Sequence, residues 1–172
     1  LNNDESCEEN LTLNLRSVEQ ETKLRLENTS AWNVWKLNFG LELGQSHYTN
    51  TTYQKIFTDQ MHLSDYHTSL NLLRWGLFAS MNYISSDESF TASLGLRADA
   101  NNYSDRMKEL WRQMSPRLSV SYRLLDGLFL SGHVGLYYQL PQYTALGFKG
   151  NEGQYVNRDL DYTSVSQESI GL

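Results

Sequence analysis

Three stretches of the sequence bring together residue types that do chemistry. The first holds His47, Asp59, His62, Asp65 and His67, with two imidazoles and a carboxylate inside HLSDYH at 62–67. Imidazole and carboxylate can hold zinc, copper or nickel, but this spacing is equally that of a solvated polar loop, and no metal site is assigned. The second is FLSGHVG, where Ser131 and His133 share one side of an extended chain without an identifiable acid partner. With no Gly-rich phosphate loop and no nucleophile elbow, the chain is read as not an enzyme, with no catalytic residue and no cofactor. The third, PQYTALGFKGNEGQYVNRDLDY at 141–162, is the richest: Tyr143, Phe148 and Tyr155 alternate with Lys149 and Arg158. Aromatic faces stack on sugars, peptides or flat chelates, and cations grip carboxylates, so these five are the candidate substrate-binding residues. The competing reading is a loop that packs on its own aromatics.

The elements that must carry these residues are strands. In VWKLNFGLELG, Trp35, Leu37, Phe39, Leu41 and Leu43 share one face, and Lys36, Asn38, Gly40, Glu42 and Gly44 share the other. In NLLRWGLFASMNY, Leu73, Trp75, Leu77, Ala79, Met81 and Tyr83 oppose Arg74, Gly76, Ser80 and Asn82, with Phe78 as the exception. Segments 89–101, 116–124 and 127–140 repeat the scheme through Leu94/Leu96, Leu118/Val120 and Leu130/Val134. ETKLRLEN and SVSQESIGL read as weaker strands, and LTLNLR as a possible short one, for seven or eight in all.

Bulk properties agree. Among 172 residues, Tyr (11) outnumbers Phe (6) and Trp (4), Pro is scarce at 2, and Gly reaches 11, a composition suited to long strands and polar turns. A net charge of -6 argues against a nucleic-acid partner. Mean hydropathy is -0.54, and the chain contains no apolar run of the ~18 residues that a membrane helix needs. Cys7 stands alone, so there is no internal disulfide. Asn10, Asn28, Asn50 and Asn102 begin glycosylation triplets, which a chain rich in Asn, Ser and Thr contains by chance.

The connections alternate short and long. TSAW, SSDE and LDG are short; 45–68, 102–114 and 141–163 are long. Short turns at one end and long loops at the other are the pattern of outer-membrane barrels, whose strands alternate apolar-out and polar-in. Within the second loop, SDRMKELWRQM sets Met107, Leu110, Trp111 and Met114 at helical spacing, as for a short capping helix. Trp32, Trp35, Tyr83, Tyr137 and Tyr138 fall at strand ends, where aromatic girdles meet the lipid headgroups. The fold class is therefore all-β, an antiparallel up-and-down transmembrane β-barrel segment.

The segments ETKLRLENT (21–29), WKLNFGLELGQSHYTNTTY (35–53), GLRADANNY (95–103), SPRLSVSY (115–122) and YYQLPQYTALGF (137–148), in this order, resemble the barrel of TonB-dependent outer-membrane receptors. The resemblance implies a 22-stranded barrel with an internal plug, of which residues 1–172 supply a partial wall; no plug domain or barrel-closing C-terminal strand is recognised. It further implies an outer-membrane location, nutrient uptake, and as partners membrane lipid, the plug, a TonB-type energising complex and a small-molecule, glycan or peptide ligand. Two alternatives stand beside it. If LTLNLR is a separate crossing, eight strands match a complete small barrel of structural or adhesive type. A soluble β-sandwich binding module is the other.

Overall fold

The computed structural model describes residues 12–57, 61–150 and 153–172, and the side chains of these except 56, 57 and 61–64. Seven strands are described: β1 Leu13–Trp32, β2 Trp35–Phe57, β3 Met61–Ile84, β4 Phe90–Asn101, β5 Met114–Leu125, β6 Leu128–Gln139 and β7 Thr163–Gly171. They form one sheet in the order β1-β2-β3-β4-β5-β6-β7, each hydrogen-bonded to its sequence neighbour, and the pairs from β3 to β7 are antiparallel. This is the all-β, up-and-down arrangement that the alternation implies. The sheet is open, running from β1 at one edge to β7 at the other.

Two expectations are corrected. Residues 13–16 of LTLNLR and all of ETKLRLEN belong to the single 20-residue strand β1 rather than to two crossings, so seven strands, not eight, are found among the described residues. Residues 45–68, expected as a long loop, are largely strand, because β2 runs to Phe57 and β3 begins at Met61. A mostly polar sequence conceals the pairing there, since Tyr48 shares the buried face of β2 with Ser46, Asn50 and Thr52.

The short turns are stabilised locally. Gly127 takes φ +83 between β5 and β6, a conformation that a residue with a Cβ adopts only under strain. Between β3 and β4 the Asp87 carboxylate accepts hydrogen bonds from the Ser89 backbone N–H (3.2 Å) and hydroxyl (2.9 Å). Bonds from the Ser85 and Ser89 side chains hold the Asp87 carboxyl down to about 2.

The chain divides into two compact units: Leu1–Glu21, Ser46–Asn71 and Gln142–Arg158 form the first, and Thr22–Gln45, Leu72–Pro141 and Asp159–Leu172 the second. In the first unit Tyr48, Leu70 and Leu146 are buried together with Ser46, Asn50, Thr52 and Thr68. The second unit presents an apolar row. Met81 pairs with Leu94, Leu94 with Leu118, and Leu118 with Val134, and directly paired residues point to the same face. Leu77 (53%), Leu94 (55%) and Val134 (46%) are openly exposed. β7 breaks the scheme: Glu168 pairs with Val134 and Ser166 with Leu136, and on this face of β7 only Ile170, opposite Gly132, is apolar.

Candidate functional site

The third long loop does hold an ordered arrangement, within the first unit. A single helical turn, α1 (Tyr143–Leu146), buries Leu146 completely. The Thr68 hydroxyl donates to the Gly147 carbonyl at 2.5 Å. A Cβ on Gly147 would lie 2.6 Å from the Thr68 methyl, so only glycine permits this approach. The Asn157 side-chain amide donates to the Ala145 carbonyl at 2.8 Å, tying the far side of the loop to α1.

All five candidate binding residues have intramolecular partners. The Tyr143 ring lies 5.6 Å from Tyr48, and Phe148 stands edge-on to Tyr66 at 6.1 Å. Lys149 Nζ donates to the His67 carbonyl (2.8 Å), and the Tyr155 hydroxyl donates to the Ser69 carbonyl (2.9 Å). Lys149 and Arg158 each approach the Tyr155 ring, at 5.0 Å and 5.8 Å from its centroid. The competing reading of self-packing therefore accounts for every one of these side chains. Phe148 nevertheless keeps 45% of its surface exposed, and Arg158 is exposed as well.

The two histidines of the first unit with described side chains are also engaged. His47 Nδ1 lies 2.7 Å from Asn71 Oδ1, and His67 Nδ1 lies 3.1 Å from the Thr51 hydroxyl. No group of three metal-ligating side chains occurs among the described residues; the side chains of Asp59 and His62 fall outside them.

In the second unit the polar face carries a linked set of charges. Arg25 Nε donates to Glu27 at 2.7 Å, Glu27 accepts from Asn38 at 2.8 Å, and Glu42 lies 3.6 Å from Arg25 and 3.7 Å from Arg97. Arg97 in turn donates twice to Asp99, at 2.7 and 2.6 Å. Phe78, the exception to the alternation, belongs to this face: it pairs with Arg97, and the Arg25 guanidinium stacks over its ring at 4.1 Å. Gly40 makes the room, since a Cβ there would meet the Leu26 carbonyl oxygen and lie 2.6 Å from Phe78 Cζ.

On β6 the expectation that Tyr137 and Tyr138 sit together at a lipid interface fails for Tyr137. Adjacent strand residues point oppositely, and Tyr137 joins the polar face, with its hydroxyl 2.7 Å from His133 Nε2 and its ring 4.3 Å beneath Arg117. Tyr138, at alternate positions with Val134 and Leu136 on the same strand, takes the apolar face. Ser131 does not engage His133: its hydroxyl reaches the Gly171 carbonyl at 3.5 Å. At the other strand ends, Trp35, Tyr83 and Phe90 form a chain of rings at 4.9 Å and 6.1 Å, and Trp32 is exposed.

The second long loop forms two 3-10 turns, Arg106–Lys108 and Leu110–Gln113, rather than one helix. Met107 and Gln113 are buried, but Trp111 is 72% exposed, contrary to a cap packed through all four apolar residues. The buried Asn101 amide donates to the Tyr162 hydroxyl at 2.9 Å, and burial pushes that hydroxyl up to about 12. Alternation gives no signal for the rings beneath Arg25 and Arg117. Only the glycines at 40 and 135, read against neighbouring strands, could have done so.

Comparison with curated proteins and with solved structures returned no match. The family model for the TonB dependent receptor-like β-barrel matches residues 3–172. An exposed apolar face, an opposing face of linked charges and this match over nearly the whole chain lead to one conclusion: the chain belongs to the TonB-dependent receptor-like β-barrel family.

Proposed function

We propose that the chain is part of the wall of an outer-membrane TonB-dependent transporter that takes up a nutrient, and that it contributes both barrel wall and extracellular loops. The observation that carries this is the two-faced sheet from β3 to β6. Met81, Leu94, Leu118 and Val134 are aligned across four strands with their side chains exposed or half-exposed. In water such a row would be left unburied; in a bilayer it meets lipid. The opposite face bears Arg25, Glu42, Arg97 and Asp99, the polar lining that a barrel interior requires. β7, with Glu168 opposite Val134, does not continue this row.

On this reading Trp35, Tyr83 and Phe90 mark the periplasmic interface, and Trp32 and Tyr138 are lipid-level aromatics. The linked charges of the polar face meet a plug domain, through which a TonB-type complex energises transport. Tyr143, Phe148, Lys149, Tyr155 and Arg158 lie in a surface loop that presents Phe148 and Arg158 to the ligand. The family's role is transport, and no enzymatic activity is proposed.

Fractionation of source cells, probed with antibody to this segment, tests the reading. An outer-membrane band whose migration shifts on boiling, and which co-purifies with the periplasmic domain of TonB, is the expected result. A band in the soluble fraction overturns it.

A further inference from the structure

We propose that Arg117, Tyr137 and His133 form an oxyanion-binding site on the polar face of β5 and β6. Arg117 lies in β5. Its cross-strand neighbours are Gly95 on one side and Gly135 on the other. Two glycines flanking one arginine leave a bare trough in the wall. The Tyr137 ring lies down into it: a Cβ on Gly135 would come within 2.9 Å of Tyr137 Cε2, so the ring can occupy that place only because residue 135 is glycine. The guanidinium stacks on the ring at 4.3 Å, and the ring is fixed at its far end by the 2.7 Å hydrogen bond to His133. Stacking orients the guanidinium and leaves its edge available for a planar or tetrahedral oxyanion.

The charge balance singles Arg117 out. Arg25 and Arg97 share Glu42 and have Glu27 and Asp99 besides. Among the described residues no carboxylate lies within ion-pair distance of Arg117, and its buried Nε has no hydrogen-bond partner. A guanidinium held in place with no carboxylate beside it is a charge without its counter-ion. The next row along the sheet is Ser93, Ser119 and His133, paired in that order, which sets hydroxyl donors beside the same cavity of about 490 Å³. Guanidinium, hydroxyls and an imidazole together recognise phosphate or carboxylate. The oxyanion comes either from a free small molecule or from a carboxylate of the same polypeptide, and the test separates the two.

The full-length protein is purified in detergent, and wild type, R117A, R117Q and R117K are first shown to keep a heat-modifiable band. Inorganic phosphate is then titrated at constant ionic strength, and the thermal midpoint is followed by tryptophan fluorescence. In parallel a carbodiimide is applied to R117K and the coupled peptides are mapped by mass spectrometry. Phosphate protection of wild type, weakened roughly 10- to 100-fold in R117A and R117Q, assigns the site to a free oxyanion. Coupling of the R117K amine to a carboxyl group other than Glu42 or Asp99 assigns it to a carboxylate of the protein. Equal responses to phosphate in wild type and R117A, with no such coupled peptide, overturn the site. The heat-modifiable band persists in that outcome, so the transporter reading would stand without it.

Discussion

The Arg25 guanidinium stands 4.1 Å over the ring of Phe78, on the face of the sheet that otherwise carries charge. A phenyl ring among charges is accommodated because Gly40 leaves a notch: a Cβ there would meet both Phe78 Cζ and the Leu26 carbonyl oxygen. Gly40→Ala should therefore destabilise the folded protein by ~1–3 kcal/mol, the usual cost of overpacking. Adding Phe78→Ala should restore only part of this, because the Leu26 carbonyl remains. Urea unfolding in lipid vesicles measures both; a Gly40→Ala variant as stable as wild type would show that the notch is not needed.

The two faces of β4 make a second comparison. Leu94 is exposed in the apolar row, whereas Ser93, one residue earlier, borders the cavity on the polar face. If Leu94 lies near the bilayer midplane, Leu94→Arg costs ~2–4 kcal/mol, and Ser93→Arg costs less because its charge stays in the hydrated interior. Folding titrations of the two variants into the same lipid should differ clearly. Equal losses would mean that the faces have been assigned wrongly.

The period of two explains what could be read from the sequence and what could not. Leu94, Leu118 and Val134 were legible as one face because alternating polar residues set them off. Ser46, Asn50 and Thr52 share a buried face just as regularly, but their outward neighbours are polar too, so the extension of β2 had no contrast to reveal it. Ser17–Gln20 hid the continuity of β1 in the same way. Tyr137 is a different failure. Neighbouring tyrosines in a strand must point oppositely, so an interface shared by both was never available to them. The self-packing of Lys149 and Tyr155 depends on backbone carbonyls of His67 and Ser69, which no side-chain pattern encodes.

The β3–β4 turn should respond to acid. Hydrogen bonds from Ser85 and Ser89 depress the Asp87 carboxyl from 3.8 to about 2. A depressed carboxyl contributes stability that is fully present above its unfolded value and lost as pH falls through its folded one. The protection of the Ser89 amide, relative to its intrinsic exchange rate at each pH, should therefore fall between about pH 4 and pH 2. Asp87→Asn should remove that pH dependence while leaving the turn in place. If the variant shows the same acid step as wild type, another group controls the turn.

The last prediction separates self-packing from ligand contact in the third loop. Tyr155→Phe deletes only the hydroxyl that reaches the Ser69 carbonyl and keeps the ring between Lys149 and Arg158. Losing such a bond costs ~1 kcal/mol, which raises the population of the undocked loop about fivefold. Trypsin cleavage after Lys149 or Arg158 should accelerate by that factor in Tyr155→Phe, and further in Tyr155→Ala, which also loses the ring. Performed on intact cells, the same digestion asks where the loop lies, because only a segment outside the outer membrane is within reach of added protease. Acceleration in both variants on intact cells is expected. Unchanged cleavage in both would show that the Tyr155–Ser69 bond does not hold the loop, and resistance confined to intact cells would place the loop inside the outer membrane.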